Sequence, residues 1–230
     1  MIRLPRQLTL DWPHQPSFAR EDFIAAPSNR EALRVIEQWP NWAGHMLLLV
    51  GPEGAGKSHL ASLWAETAGA IVVRGEALAA AGIEVGVQCS ALLIEDADRT
   101  DHALDILFHL VIAELLNGAW LLLTARSAPD GWTLKIPDLL SRLRLAPIVR
   151  LKTPDTELTE AVLFKLFSDR QLQVDPYVIT YIALRIERSL GAARKVVDAL
   201  DREALARGRR VTRAMAAELL REAPLEGESP

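Results

Sequence analysis

The chain holds 230 residues, 50% of them hydrophobic and 24% charged, which supplies the core of one globular domain or two small ones and excludes disordered and fibrous classes. Lys and Arg number 26 against 30 Asp and Glu, a formal charge of -4 with a pI near 5.8, which excludes a protein that lives by coating DNA. One cysteine, Cys89, cannot close an internal disulfide, and no CxxC or His/Cys cluster offers a structural zinc site, so a reducing cytoplasm is the expected location.

Residues 1–22 carry Pro5, Pro13 and Pro16 without sustained periodicity and read as an extended arm. Arg3, Pro5, Arg6, Gln7 and Asp11 break any signal-peptide run. The longest apolar stretches, such as Met46–Val50 and Ala119–Leu123, fall far short of the ~20 residues of a membrane span, so no membrane partner is expected. Ser28 with Glu31 three residues on spells a capping box, from which a helix runs to about Trp39, ahead of Pro40. Short apolar runs then alternate with helical stretches. The strands fall at Met46–Val50, Ala70–Arg74, Ala91–Ile94, Trp120–Thr124 and Ile148–Leu151, and the helices near Lys57–Ala68, Asp101–Asn117 and Pro137–Leu143. Continuous apolar runs mark strands buried on both faces, as in a parallel sheet covered by helices, so 23–152 is expected to form an α/β domain. Past Thr153-Pro154 only helical patterns remain, at Asp155–Gln171, Pro176–Glu187, Ala192–Arg207 and Thr212–Arg221. Asp175-Pro176 reads as an N-cap with a first-turn proline, and Gly208 as a C-terminal stop. Residues 153–222 are thus expected to form a small all-helical domain and 223–230 a disordered tail.

Gly51-Pro52-Glu53-Gly54-Ala55-Gly56-Lys57-Ser58 follows a predicted strand and opens a predicted helix, the context that a GxxxxGK[ST] phosphate-binding loop requires. Its glycines let consecutive N–H groups turn inward on phosphates, and the helix adds its positive end. Lys57 would reach the β and γ oxygens and Ser58 would ligate Mg2+, with Gly51, Gly54, Ala55, Gly56 and the following His59 on the cofactor side. The expected ligand is a nucleoside di- or triphosphate with Mg2+.

Glu95 and Asp96 end a neighbouring strand. In P-loop enzymes the first such acid, an Asp, holds Mg2+ and the second, commonly Glu, positions the attacking water. Here Glu95 takes the metal position and Asp96 the catalytic one, with side chains one methylene too long and one too short. Weak hydrolysis or none by the chain itself is expected. Thr124, at the end of another apolar strand, could place a hydroxyl on the γ-phosphate or the attacking water, or could be an ordinary strand-end threonine. The five histidines show no metal-ligand spacing, and Cys89 lacks a nearby base. The basic run from Arg202 to Arg213 is a solvated helix end or a contact for DNA or an acidic face.

The order of these pieces resembles that of the AAA+ ATPases, and flanking residues narrow the likeness to the family of the bacterial replication initiator DnaA. Phe18 to Asn29, with Phe23-Ile24 and Pro27-Ser28-Asn29, resembles that family's adenine-side segment. Leu122-Leu123-Thr124-Ala125-Arg126 is similar to its sensor 1, and Leu139-Leu140-Ser141-Arg142-Leu143 to its arginine-finger box. Arg194, in Arg188-Ser189-Leu190-Gly191-Ala192-Ala193-Arg194, resembles its sensor 2 arginine. The likeness spans roughly residues 16–221 and departs from the family in two places. No basic helix-turn-helix domain follows the helical part, which implies no direct sequence-specific duplex binding. Ahead of it stands Gln7-Leu8-Thr9-Leu10-Asp11-Trp12, which is similar to the QLxL peptide of proteins that dock on the bacterial sliding clamp. Physically, an extended segment can lay Leu8, Leu10 and Trp12 into an apolar groove while the Gln7 amide sets register. A strand added to the sheet edge, or an unstructured arm, are the alternatives.

Together these features resemble the regulatory branch of the family, the Hda-type inactivators of DnaA. The resemblance implies a P-loop AAA+ sheet with a helical lid, and an adenine nucleotide, ADP or ATP, held in cis by Phe23, Ile24, the P-loop and Arg194. It implies two partners, DnaA and the sliding clamp (the β subunit of DNA polymerase III), and a negative regulator of initiation in which Arg142 acts in trans on ATP bound to DnaA. Arg142 could instead be a helix-surface ion pair and Arg194 part of a solvated helix face. Self-association as a homodimer stays open, and a stand-alone AAA+ ATPase such as a helicase loader is the alternative function.

Overall fold

The computed structural model of the chain describes residues 18–82, 89–100 and 104–222. Gln7, Leu8, Leu10 and Trp12, and the tail 223–230, lie outside the described residues. A five-stranded sheet is formed by β1 (Met46–Val50), β2 (Ile71–Arg74), β3 (Ala91–Glu95), β4 (Trp120–Ala125) and β5 (Ile148–Arg150), in the order β2-β3-β4-β1-β5. Every neighbouring pair is parallel. Helices α1 (Arg30–Glu37) and α2 (Lys57–Ala68) cover one face, and α4 (Leu104–Asn117) and α5 (Pro137–Leu143) the other; α3 (Leu78–Ala81) is a single turn after β2.

The pleat explains why the strand runs are continuously apolar. Leu48, Val50, Leu92, Ile94, Leu121 and Leu123 enter one core, with Leu107 and Leu110 of α4 and Leu139 and Leu143 of α5. Their neighbours Leu47, Leu49, Leu93 and Leu122 point the opposite way, against Leu33 and Ile36 of α1 and Leu60 and Trp64 of α2. The two edge strands are the exceptions: β2 buries only Val73, leaving Ile71 and Val72 41% and 52% exposed, and β5 buries only Val149.

The expected capping box at Ser28 is not formed. The helix starts two residues later, the Ser28 hydroxyl is buried without a partner, and Glu31 is exposed. Asn29 organises the entry instead: its Oδ1 accepts from the Ala26 N–H at 2.8 Å and its Nδ2 donates to the Ile24 carbonyl at 2.9 Å. The Ser28 carbonyl accepts from the Lys152 N–H at 3.0 Å, so this turn is stitched to the exit of β5. The expected extended arm also ends earlier than residue 22, because Arg20–Asp22 forms a 3-10 turn and Phe18 packs on His59.

After β5 four helices form a bundle: α6 (Thr156–Asp169), α7 (Pro176–Ala183), α8 (Leu190–Arg207) and α9 (Arg213–Glu222). Leu163, Phe167, Ile182, Val197, Leu200 and Ala216 make a third core. Asp155, Asp175 and Ser189 cap α6, α7 and α8 through their side chains, and Gly208 ends α8 at φ 59°. α7 stops at Ala183 rather than Glu187, where bonds three residues apart, such as Arg185 N–H to the Ile182 carbonyl, tighten the chain out of the helix.

Candidate nucleotide site

β1 ends at Val50 and the chain turns through Gly51–Gly56 into α2, a twelve-residue helix whose first residue is Lys57. Gly54 and Gly56 take φ values of +71° and +97°, which side chains rarely adopt. A methyl group at Gly54 would also overlap the Ser189 hydroxyl, and one at Gly51 would lie 2.7 Å from the Leu151 carbonyl oxygen. The loop is thus pressed against both β5 and the start of α8, and the Leu190 N–H donates to the Gly54 carbonyl at 2.9 Å. Ala55 is buried beneath the loop.

Lys57 is buried, and its ammonium donates to the Gly51 and Pro52 carbonyls at 2.8 and 2.9 Å. Burial pulls its pKa below the ordinary lysine value, against the opposing fields of Asp96 and Asp98. Neutral carbonyls are poor compensation for a desolvated cation. A phosphate oxygen offers a stronger, charge-assisted bond at the same place.

Across the cleft, Glu95 ends β3 with its Oε1 buried and without a hydrogen-bond partner. Asp96 sits in the left-handed region at φ 50°, and its N–H donates to the Thr124 hydroxyl at 3.0 Å. Thr124 is 1% exposed and is not among the residues that line the cleft. Its work is to hold the backbone of Asp96. Arg126, just past β4, donates its N–H to Asp98 at 3.0 Å, and its guanidinium pairs with Glu53 of the loop at 2.6 Å.

These groups surround a cavity of about 510 Å³. Gly54, Gly56, Lys57, Ser58 and His59 line it from the loop and α2, Glu95 and Asp96 from β3, Phe23 and Ile24 from the entry segment, and Arg194 from α8. The His59 ring meets Phe18 and Phe23 edge-on, at centroid distances of 5.4 and 5.2 Å, with Nε2 3.1 Å from the Ala19 carbonyl. Burial lowers its pKa, partly offset by that carbonyl. Arg194 is not on a solvated face. It lies 5.7 Å from the Phe18 ring centre, and burial lowers its pKa also.

Arg142 is not brought to the cavity. It sits on α5 with its Nε buried and without an acceptor, and it makes no ion pair among the described residues, whereas the nearby Arg144 pairs with Asp130. Among the described residues, the surface ion pair open from the sequence is not formed.

Several lining residues are invisible to motif reasoning. Lys165 of α6 pairs with Asp22 of the entry segment at 2.7 Å, and Leu158, Val162 and Leu166 of the same helix wall the cavity. Only the folding of the bundle over the sheet puts them there. Arg126 had a signal, being the first residue past a strand that ends beside the loop.

The residues suit a nucleoside phosphate, because the loop glycines take a backbone that side chains rarely adopt and a buried lysine and a carboxylate with an unpaired oxygen line the same cavity. No group of three His, Cys, Asp or Glu among the described residues could hold a metal alone. A Mg2+ ion would be held by Ser58 and Glu95 together with phosphate oxygens. No helix among the described residues is long and apolar enough to cross a membrane.

No family model and no curated protein matches the sequence. Among solved structures, domain III of the Thermotoga maritima replication initiation protein DnaA superposes with a TM-score of 0.77 at 18% identity, over 92% of this chain and 98% of that one. A replication initiator DnaA bound to AMPPCP and single-stranded DNA gives 0.70 at 19%, over 84% and 68%. The Thermotoga maritima RuvB Holliday junction branch migration motor gives 0.70 at 17%, over 90% and 72%. With its parallel sheet, its helical layers and a glycine-rich loop closed by a helical bundle, the chain has the AAA+ fold of DnaA domain III.

Proposed function

We propose that the chain is an adenine-nucleotide-bound AAA+ regulator of replication initiation, of the Hda type. In this reading it acts in the cytoplasm, docks on the sliding clamp through Gln7, Leu8, Leu10 and Trp12, and lends Arg142 to ATP held by DnaA. The observation that carries it is the standing of Arg142: a guanidinium without an ion pair among the described residues, its Nε buried and unsatisfied, away from the chain's own cavity. Leu145, in the turn that follows, is 82% exposed and adds an apolar contact beside it. An arginine supplied in trans to a P-loop site accelerates hydrolysis by about 10³ to 10⁵. The likeness to DnaA domain III supports a partner of the same architecture, and the AMPPCP bound to one such initiator supports adenine as the base.

In cis, the bound nucleotide would supply the phosphate charge that Lys57 lacks. Ser58 and Glu95 would take the metal side, and Arg194 would link the bundle to the same phosphates. Asp96, held through its N–H, carries a carboxylate too short to orient water well, which favours retention over turnover.

The test is the rate at which DnaA loses ATP, with and without the chain and DNA-loaded clamp. Acceleration is expected, lost with Arg142→Ala and with Gln7→Ala, which removes the tether and leaves the finger. Full stimulation by Arg142→Ala sinks the proposal. Brisk ATP turnover by the isolated chain would point to a stand-alone ATPase such as a helicase loader.

A further inference from the structure

We infer that the outer face of the bundle, where α7 meets α9, binds the phosphodiester backbone of duplex DNA without sequence preference. The chain's charge is unevenly spread. Residues 176–222 hold ten of the 26 Lys and Arg but only six of the 30 Asp and Glu. Four of those acids are already engaged, Asp198 and Asp201 by Arg170, Glu203 and Glu218 by Arg207. Arg185, Arg209, Arg210 and Arg213 make no ion pair among the described residues. Two of the four are fixed by aromatic rings. The Arg213 guanidinium lies 5.4 and 4.9 Å from the ring centres of Tyr177 and Tyr181, and that of Arg185 lies 3.9 Å over Tyr181.

Stacking uses the face of a guanidinium and leaves its N–H edge for acceptors, one of which, for Arg185, is the Tyr181 carbonyl at 3.2 Å. Fixed cations without counter-charges repel one another, and a dense line of negative charge relieves that repulsion. Duplex DNA carries one phosphate charge per ~1.7 Å of its axis. The rings decide which nucleic acid fits. A single strand binds by stacking successive bases on a row of open aromatic faces, whereas here Arg185 and Arg213 occupy Tyr181 and only Tyr177, 58% exposed, offers an open ring. Guanidinium edges and phenol hydroxyls are the chemistry of phosphate contacts. None of Tyr177, Tyr181, Arg185 and Arg213 lines the nucleotide cavity, so the inference does not rest on the function proposed above.

The test uses the full chain without clamp or initiator, titrated against a fluorescent duplex of mixed sequence over a series of KCl concentrations. Binding is expected to weaken with salt at a log-log slope of about -2 to -4, as for two to four phosphates. The Arg185→Gln/Arg213→Gln double variant should lose about tenfold or more at low salt and flatten the slope by about two, with an unchanged thermal midpoint. Should that variant fail to fold, Arg209→Gln/Arg210→Gln, exposed and not stacked, carries the same expected flattening. No salt-sensitive binding, wild-type behaviour of the variants, tighter binding of oligothymidylate than of duplex, or displacement of duplex by an acidic peptide at equal ionic strength would each overturn the inference.

Discussion

His59 couples the cavity to pH. Its imidazole is half-buried between Phe18 and Phe23, and that burial lowers its pKa from 6.5. The unfolded chain therefore takes up this proton first as pH falls, binding more protons than the folded one below about 6.5. Stability must rise with pH across that window and fall on acidification. His59→Gln, which keeps a donor for the Ala19 carbonyl, should flatten the profile, read as urea midpoints between pH 5 and 7; an unchanged slope would assign the acid sensitivity elsewhere. At the same scale, the glycine-rich turn between β1 and α2 was legible because few residue types tolerate its backbone. The Glu53–Arg126 pair was not, since an exposed ion pair depends on rotamers that local sequence does not encode.

At the scale of elements, capping separates what sequence shows from what it hides. Asp175 before Pro176 and Gly208 after α8 stand where a residue's own backbone preference decides, and both fulfil their expected roles. Ser28 stood in as good a local pattern, yet Asn29 took the turn, because the Ser28 carbonyl is drawn to Lys152 across the sheet edge. Long-range pairing overrode a local signal. Strand positions agree with the apolar runs to within a residue or so, because the central strands β1, β3 and β4 are buried on both faces and so are apolar throughout. Asp155 offers the test of capping energetics: its carboxylate accepts from the Leu158 N–H at 2.7 Å. Asp155→Ala should cost about 1 kcal/mol of stability, measured by chemical denaturation, and Asp155→Asn much less.

For the whole molecule, the cavity is closed by parts far apart in sequence: the entry segment, the loop, β3 and two helices of the bundle. Sequence order placed the loop and the acids but not α6, whose Leu158, Val162 and Lys165 face the cavity only because the bundle docks there. A ligand that touches all of these parts should stabilise them as one. At a hundred times its Kd, ADP is expected to add about 2.7 kcal/mol, roughly 5–10 °C in Tm for a chain of this size. Lys57→Ala should abolish that shift while leaving the unliganded protein folded; a retained shift would separate nucleotide binding from the loop. The Leu190–Gly54 bond adds a consequence about inheritance rather than energy. Because it joins two main chains, drift in the side chain at position 190 cannot delete it, and of the common amino acids only proline lacks the hydrogen it needs. The contact between the glycine-rich loop and the bundle is thereby written in backbone, insulated from most of the mutations that would delete a side-chain contact.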